Sequence, residues 1–336
     1  YTRKGEVVLD PFCSGGTTGL QASLMGRISY SFDGSPLACL ITRAKLMPVD
    51  IAEVTLRLQQ INLSRPIPAD AFKPAFQPFY DLDTFREILN LRSALKNRPD
   101  RVSRFIELLV LGLLHGPSAG YLSSYTLPRV ALSPREQKLL NDKRGQYPEY
   151  RAVAPRILRK CASVLRDGLP SVLGRMEAYN RVGNADPRNL SMLSAGSVNL
   201  VISAPPLPAA EKLSRPLWLK LWFSGISPEA IDGCVTQFNS LNGWLDFMNQ
   251  VLLELARVVI PSGRAVLDLR EIVLSSGRVR LDELLVGMIR EELSRFWQPE
   301  KLLLHKAPEA TLKDAIGSRD QQKLARHHRI LILRRK

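Results

Sequence analysis

Apolar residues follow two rhythms along this chain, and the changeover divides it into three stretches. The first stretch alternates short apolar runs with helical spacing. "EVVLD" (6–10) predicts a buried strand and "TTGLQASLMG" (17–26) a helix closed by Gly26. "RISYSFD" (27–33) predicts a second strand, and "SPLACLITRAKLM" (35–47) a second helix. From 48 to 180 the apolar positions recur at helical spacing in 51–61, 82–95, 101–114 and 152–173. Between them, 115–137 is rich in Gly, Ser and Pro and is expected to be irregular. The strand-helix alternation then returns. Strands are expected at 198–203, 265–269 (after a turn at 261–264), 301–306 and 328–335, with helices at 243–259 and 281–296.

Alternation at this spacing predicts an α/β fold: a doubly wound, Rossmann-like sheet of about seven strands, with a mainly helical insertion. The expected segments are 1–47, an insertion at 48–180, and 181–336. Tyr1 stands where a Met would and a strand follows almost at once, so the chain reads as cut from something longer or as lacking its start.

Composition sharpens the picture. Hydrophobic residues are 45% of the 336, enough for a sizeable core. Lys and Arg number 47 against 32 Asp and Glu, a net charge of +15 that favours a polyanion partner, nucleic acid before membrane. The insertion carries a basic run, with Arg129, Arg135, Lys138, Lys143, Arg144 and Arg151 as candidate phosphate contacts; the bland alternative is a solvated helix face. The apolar run at 105–114 contains Glu107 and is far short of the roughly 20 residues that span a bilayer. No membrane and no metal are expected. The four cysteines lack ligand spacing, and Cys13 reads as a small turn residue with no His or partner Cys nearby in sequence.

"VVLDPFCSGGTTGLQA" (7–22) carries the most chemistry. A strand runs into a Gly15-Gly16 bend and a helix opens at Thr17, leaving free N–H groups beside a close-approach backbone. Asp10 at the strand end would repel a phosphate but suits a cationic amine. Asp33 closes the second strand, where nucleotide-binding α/β folds grip ribose hydroxyls. One acid for an amine and one for a ribose describe S-adenosylmethionine better than NAD or ATP, and no GxxxxGK[ST] is present.

"LDPFCSGGTT" together with "NLVISAPPLP" (199–208) resembles the S-adenosylmethionine-dependent amino-methyltransferases of DNA, in the order cofactor motif first, Pro-Pro motif later. The family pattern is roughly Asp-Pro-Phe-x-Gly-x-Gly-Thr-Thr. Asp10, Pro11, Phe12, Gly16, Thr17 and Thr18 match it, with Ser14-Gly15 in place of Gly-x. "FDGSPLACLITRAKL" (32–46), "HGPSAGYLS" (115–123) and the closing "HHRILILRRK" are similar to further family stretches. The resemblance implies a methyltransferase sheet with its last strand antiparallel. It also implies a cofactor held by Asp10, Pro11, Phe12, Gly15, Gly16, Thr17, Asp33 and Asn184, and an insertion that reads the target.

The catalytic loop departs from the family. A Ser, Asn or Asp that accepts from the target amine is expected before Pro205-Pro206, and an aromatic that stacks on the flipped base after them. Ala204 and Leu207 stand there instead. Losing a positioned contact to the reacting group costs roughly 10²–10³ in rate. Asn184 and Asn199 occupy positions where an acid is usual, although Asn184 can still hydrogen-bond an adenine, so cofactor binding is expected to weaken less than chemistry.

Three readings stay open. The first is a catalytically impaired, cytoplasmic DNA-binding subunit of bacterial restriction-modification type, acting beside an active methyltransferase or as a homodimer. The second is an active DNA methyltransferase with replacement groups. The third is an RNA-modifying or scaffold use of the fold. DNA would cross the insertion's basic face and the rim near Ala204–Leu207. Trp218 and Trp222 read as core or a contact surface, Asp268 as a strand-end acid that could face the cleft, and His327-His328 as basic surface.

Overall fold

The computed structural model describes residues 1–127, 130–208, 214–234, 238, 240–274, 277–306 and 324–336. The chain forms two compact units: Tyr1–Leu46, Val172–Glu211 and Gly233–Lys336 make one, and Met47–Ser171 with Lys212–Asp232 make the other.

The first unit is built on a sheet of β1 (Val7–Asp10), β2 (Ile28–Asp33), β3 (Arg181–Asn184), β4 (Val198–Ser203), β5 (Val259–Leu274), β6 (Gly277–Arg280), β7 (Trp297–Lys306) and β8 (Leu324–Arg335). Their order is β3-β2-β1-β4-β5-β8-β7, with β6 hairpinned onto the end of β5. The first five of that order run parallel, and β8 is antiparallel to both neighbours. This is the expected doubly wound sheet, its last strand reversed; β6 is an addition. The winding direction changes between β1 and β4, and that switch point opens at the carboxyl ends of both strands.

α1 (Thr17–Leu24) and α2 (Pro36–Leu46) follow β1 and β2. On the other face, α11 (Leu241–Val258) presents Trp244, Met248, Val251, Leu255 and Val258 as one buried stripe. It packs with α12 (Leu281–Glu292) over Leu9, Val201, Ala265, Leu267, Leu331 and Leu333. Alternation along β1 and β4 sends Val8 and Leu200 to the opposite face, where they meet Ala22 of α1. Among the described residues no helix is long and apolar enough to cross a membrane.

The second unit is helical: α3 (Ile51–Gln59), a 3₁₀ turn (Ala69–Ala71), α4 (Leu82–Asn97), α5 (Arg101–Leu111), α6 (Pro134–Arg144), α7 (Val153–Val164), α9 (Ser214–Ser224) and α10 (Pro228–Asp232). Phe72, Phe76, Phe79, Phe85, Trp218 and Trp222 form one aromatic cluster, with Phe76 and Trp222 centroids 4.6 Å apart. Trp218 donates its indole N–H to Leu132 O at 2.9 Å. Both tryptophans are therefore packing residues of this unit.

Several expectations are corrected. The helix at 152–173 ends at Val164; Gly168 (φ 83) and Pro170 break it before α8 (Ser171–Met176). The stretch 115–137 is not irregular to its end, because Ser133 and Glu136 make a capping box that starts α6 at Pro134. The turn at 261–264 is a bulge: β5 already pairs at Val259, shifts register before Arg264, and holds Ser262 at φ 65. β3 carried no apolar signature, since it is short and both its ends are exposed. Asp268 is not at a strand end, because β5 runs on to Leu274.

Candidate functional site

The glycine bend sits at the switch point, and its shape follows from contacts on both sides. Gly16 has φ 72, and a Cβ there would lie 2.7 Å from Thr42 Oγ1 and 2.9 Å from Thr42 Cα, so only glycine lets the bend reach α2. Gly16 N–H donates to Cys13 O at 2.7 Å, and Cys13 N–H to Phe32 O at 2.9 Å, which tie the bend to β2. Lys45 of α2 donates to Gly15 O at 2.5 Å. Sequence reasoning missed Lys45; one turn beyond Thr42 on the same helix, it faces the same bend.

Asp10 is 4% exposed, and burial pushes its carboxyl up to about 6 despite hydrogen bonds that favour the charged form. Ser203 Oγ donates to Asp10 Oδ1 at 2.5 Å, and Phe12 N–H donates to the same oxygen at 3.2 Å. Among the described residues no cation pairs with it. Ser203 is a second residue that sequence reasoning passed over. It closes β4 one position before Ala204 and reaches across to the end of β1.

Asp33 is half-buried, and burial raises its carboxyl as well. Its two oxygens accept from Ser14 N and Ser35 N, each at 2.8 Å, so the acid clasps the bend and the start of α2 together. Asn184 donates through Nδ2 to Asp33 O at 2.9 Å and to Gly34 O at 2.6 Å. Its Oδ1 has no partner among the described residues. Asp10, Gly15, Gly16, Asp33 and Asn184 thus come together, and the charge of Asp33 adds a little to the rise of the Asp10 carboxyl. Pro11 is buried, and Phe12 packs on the core with its ring 6.1 Å from Phe247; Thr17 is exposed at the start of α1. Asn199 has a structural duty: its Oδ1 accepts from Val7 N–H at 2.9 Å.

After β4, Ala204 is exposed and Pro205 is buried. Trp244 donates its indole N–H to Pro206 O at 2.8 Å, and Leu207 packs against the main core, which pins the loop to α11. An acid–imidazole pair joins β5 to β8. Ser203, the last residue of β4, is in register with Leu267, the residue before Asp268, and on the far side of β5 His328 pairs with Arg270. Asp268 lies 2.9–3.0 Å from His328 Nδ1. His328 and the next residue, Arg329, which pairs with buried Asp282 at 2.5 Å, are partnered groups rather than free basic surface. The side chain of His327 lies outside the described residues, as does Arg129.

The other basic candidates belong to the helical unit. Arg135, Lys138, Lys143 and Arg144 are exposed on α6, with Arg144 stacked 3.9 Å from the Tyr125 ring centroid. Arg151 donates to the carbonyls of Ser118, Tyr121 and Ser123, and so holds a loop. Among the described residues no cluster of three or more His, Cys, Asp or Glu could hold a metal ion.

No protein-family model matches this chain, and no curated protein matches it. Solved structures do. A candidate DNA modification methylase from Thermus thermophilus is 17% identical over 45% of this chain, with a TM-score of 0.27; the match spans 50% of that protein's length. A SAM-dependent methyltransferase from Methanosarcina mazei is 8% identical over 99% of this chain and 94% of its own, at 0.37. An rRNA methyltransferase from Streptomyces viridochromogenes is 13% identical over 85% and 80%, at 0.29. Likenesses this loose add no weight of their own. Strand order does: with the reversed β8 and the glycine bend at the switch point, it gives this chain the fold of the S-adenosylmethionine-dependent methyltransferases.

Proposed function

We propose that this chain binds S-adenosylmethionine at the Asp10–Asp33 bend and DNA through its helical unit, and that its own methyl-transfer step is impaired, so that it serves beside an active methyltransferase subunit. The carrying observation is the loop after β4. An exposed methyl group, Ala204, stands where an acceptor for the target amine belongs, and Leu207 is folded onto the core where a stacking ring belongs. Binding asks less of the site than chemistry does. Asp10 is a buried carboxylate whose charge an ammonium would compensate. Asp33 retains lone pairs for ribose hydroxyls, and Asn184 Oδ1 can accept from the adenine amine. The cofactor, when bound, supplies a sulfonium-borne methyl group. On α6, Arg135, Lys138, Lys143 and Arg144 would contact phosphates without reading sequence.

One observation favours a second reading, an active enzyme. Asp268 follows Leu267, the register partner of Ser203, and holds His328 Nδ1 at 2.9–3.0 Å; in this reading that imidazole takes over from the acceptor that Ala204 lacks. Calorimetric titration with S-adenosylmethionine, combined with a methyl-transfer assay on mixed DNA and RNA, separates the readings. Binding without transfer supports the impaired subunit. Transfer that His328→Gln abolishes supports the enzyme, and Ala204→Ser with Leu207→Tyr should then raise it. Absence of binding overturns both.

A further inference from the structure

Tyr147 is the most exposed large apolar side chain among the described residues, at 83%. It stands just past the end of α6, the helix that carries Arg135, Lys138, Lys143 and Arg144. The chain is held on both sides of it. Gly145, at φ 58, ends the helix, and the N–H groups of Gly145 and Gln146 turn back to the carbonyls of Asp142 and Asn141 at 3.3 and 3.1 Å. Gln146 Nε2 donates to Tyr125 O at 3.0 Å and to Asn141 Oδ1 at 2.6 Å. Asn141 is buried and donates to Pro78 O at 2.7 Å, so this anchor reaches the interior of the helical unit. Beyond Tyr147, Tyr150 donates its hydroxyl to Glu87 Oε1 at 2.6 Å, and Arg151 N–H donates to Thr84 Oγ1 at 2.6 Å. Pro148 favours an extended backbone at Tyr147.

The fold thus fixes the backbone around a ring that it leaves in water. A tyrosine so placed offers a flat apolar face with few torsions to freeze on contact. Cations and aromatic rings alternate here: the Arg144 guanidinium stacks 3.9 Å from the Tyr125 ring centroid, and Tyr147 follows on the next turn of chain. Charge by itself grips weakly at this end of α6, because Asp142 and Glu149 are exposed in the same segment as Lys143 and Arg144. The ring supplies a nonionic contact. A nucleic-acid base has the π-face that suits it, and the backbone on either side of that base has the phosphates that suit Lys143 and Arg144. Inside a duplex the bases cover one another and offer no such face. We propose that Tyr147 is a base-stacking residue for single-stranded DNA, with Lys143 and Arg144 on the flanking phosphates. This rests on the reading that the helical unit binds DNA, and it adds the form of DNA that the end of α6 takes.

The test measures fluorescence anisotropy of a labelled, unstructured single strand and of the same sequence as a blunt duplex. Tyr147→Ala should weaken single-strand binding by roughly 5- to 150-fold and leave duplex binding unchanged. Its salt dependence should match that of the wild-type chain, because a ring releases no counterions. Tyr147→Phe should bind the single strand as the wild-type chain does. Both variants should unfold at the wild-type urea concentration, since the side chain is exposed. Single-strand binding that Tyr147→Ala leaves intact overturns the inference alone. So does an equal loss on both probes, or a loss that Tyr147→Phe shares, which would place the effect in the hydroxyl. A change of oligomeric state in Tyr147→Ala with unaltered strand binding assigns the ring to a protein contact and overturns it too. A wild-type chain that binds neither probe overturns the DNA reading itself, and this inference with it.

Discussion

Ser14 holds a backbone conformation that its own Cβ disfavours. Its φ is 44, in the left-handed region, and its N–H is aimed at Asp33 from there. The family resemblance expects glycine at this point, so the bend has kept the glycine shape with a serine in it. The left-handed conformation costs roughly 1–2 kcal/mol, and glycine's extra freedom in the unfolded chain takes back roughly 0.4–1. Ser14→Gly should therefore stabilise the chain by about 0.5–1 kcal/mol in urea unfolding; a loss of stability would show the bend to be unstrained. Asp10 makes a sharper prediction. Its folded value of about 6 lies above the ordinary 3.8, so between those values the native state binds more protons than the unfolded chain. Stability then falls as pH rises through that window, by about 3 kcal/mol at most. Asp10→Asn should flatten that dependence and stabilise the chain at pH 8 by about 1–3 kcal/mol. The same change should abolish binding of S-adenosylmethionine, whose ammonium needs the charge. In the wild-type chain that binding should tighten between pH 5 and pH 8, read by calorimetry.

At the scale of elements, periodicity foretold most helices, and their ends were decided by capping. α6 was legible in Ser133, Pro134 and Glu136, a signature masked by the Gly- and Ser-rich segment before it. Which helices share a core was not legible. α9 follows the Pro-Pro loop in sequence, yet its tryptophans stack on Phe76 and Phe85, more than a hundred residues earlier. Phe85 is 1% exposed and touches Phe72, Phe76, Tyr80 and Trp222, so Phe85→Ala should cost about 3–5 kcal/mol. Denaturation followed by tryptophan fluorescence would register it, and a cost below about 1 kcal/mol would mean that the cluster is loosely packed.

For the whole molecule, the excess of +15 is the term that reaches a distant polyanion. If the exposed cations of α6 contact phosphates, affinity for a labelled DNA duplex should fall linearly on a log–log salt plot. Each alanine at Arg135, Lys138, Lys143 or Arg144 should reduce that slope by about 0.9. Fluorescence anisotropy between low and high salt measures it, and an unchanged slope in the fourfold variant would remove α6 from the interface. The chain's sequence alone determined the alternating sheet, the glycine bend with its two acids, and the altered Ala204–Leu207 loop, because hydrophobic period, glycine spacing and side-chain type are local properties. Only the tertiary structure decided that Ser203 caps Asp10, that Asn184 is held by Asp33 and Gly34, and that His328 stands on Asp268. Those pairs join strands or turns far apart in sequence, and their contacts are set by strand order and register, which no local pattern encodes.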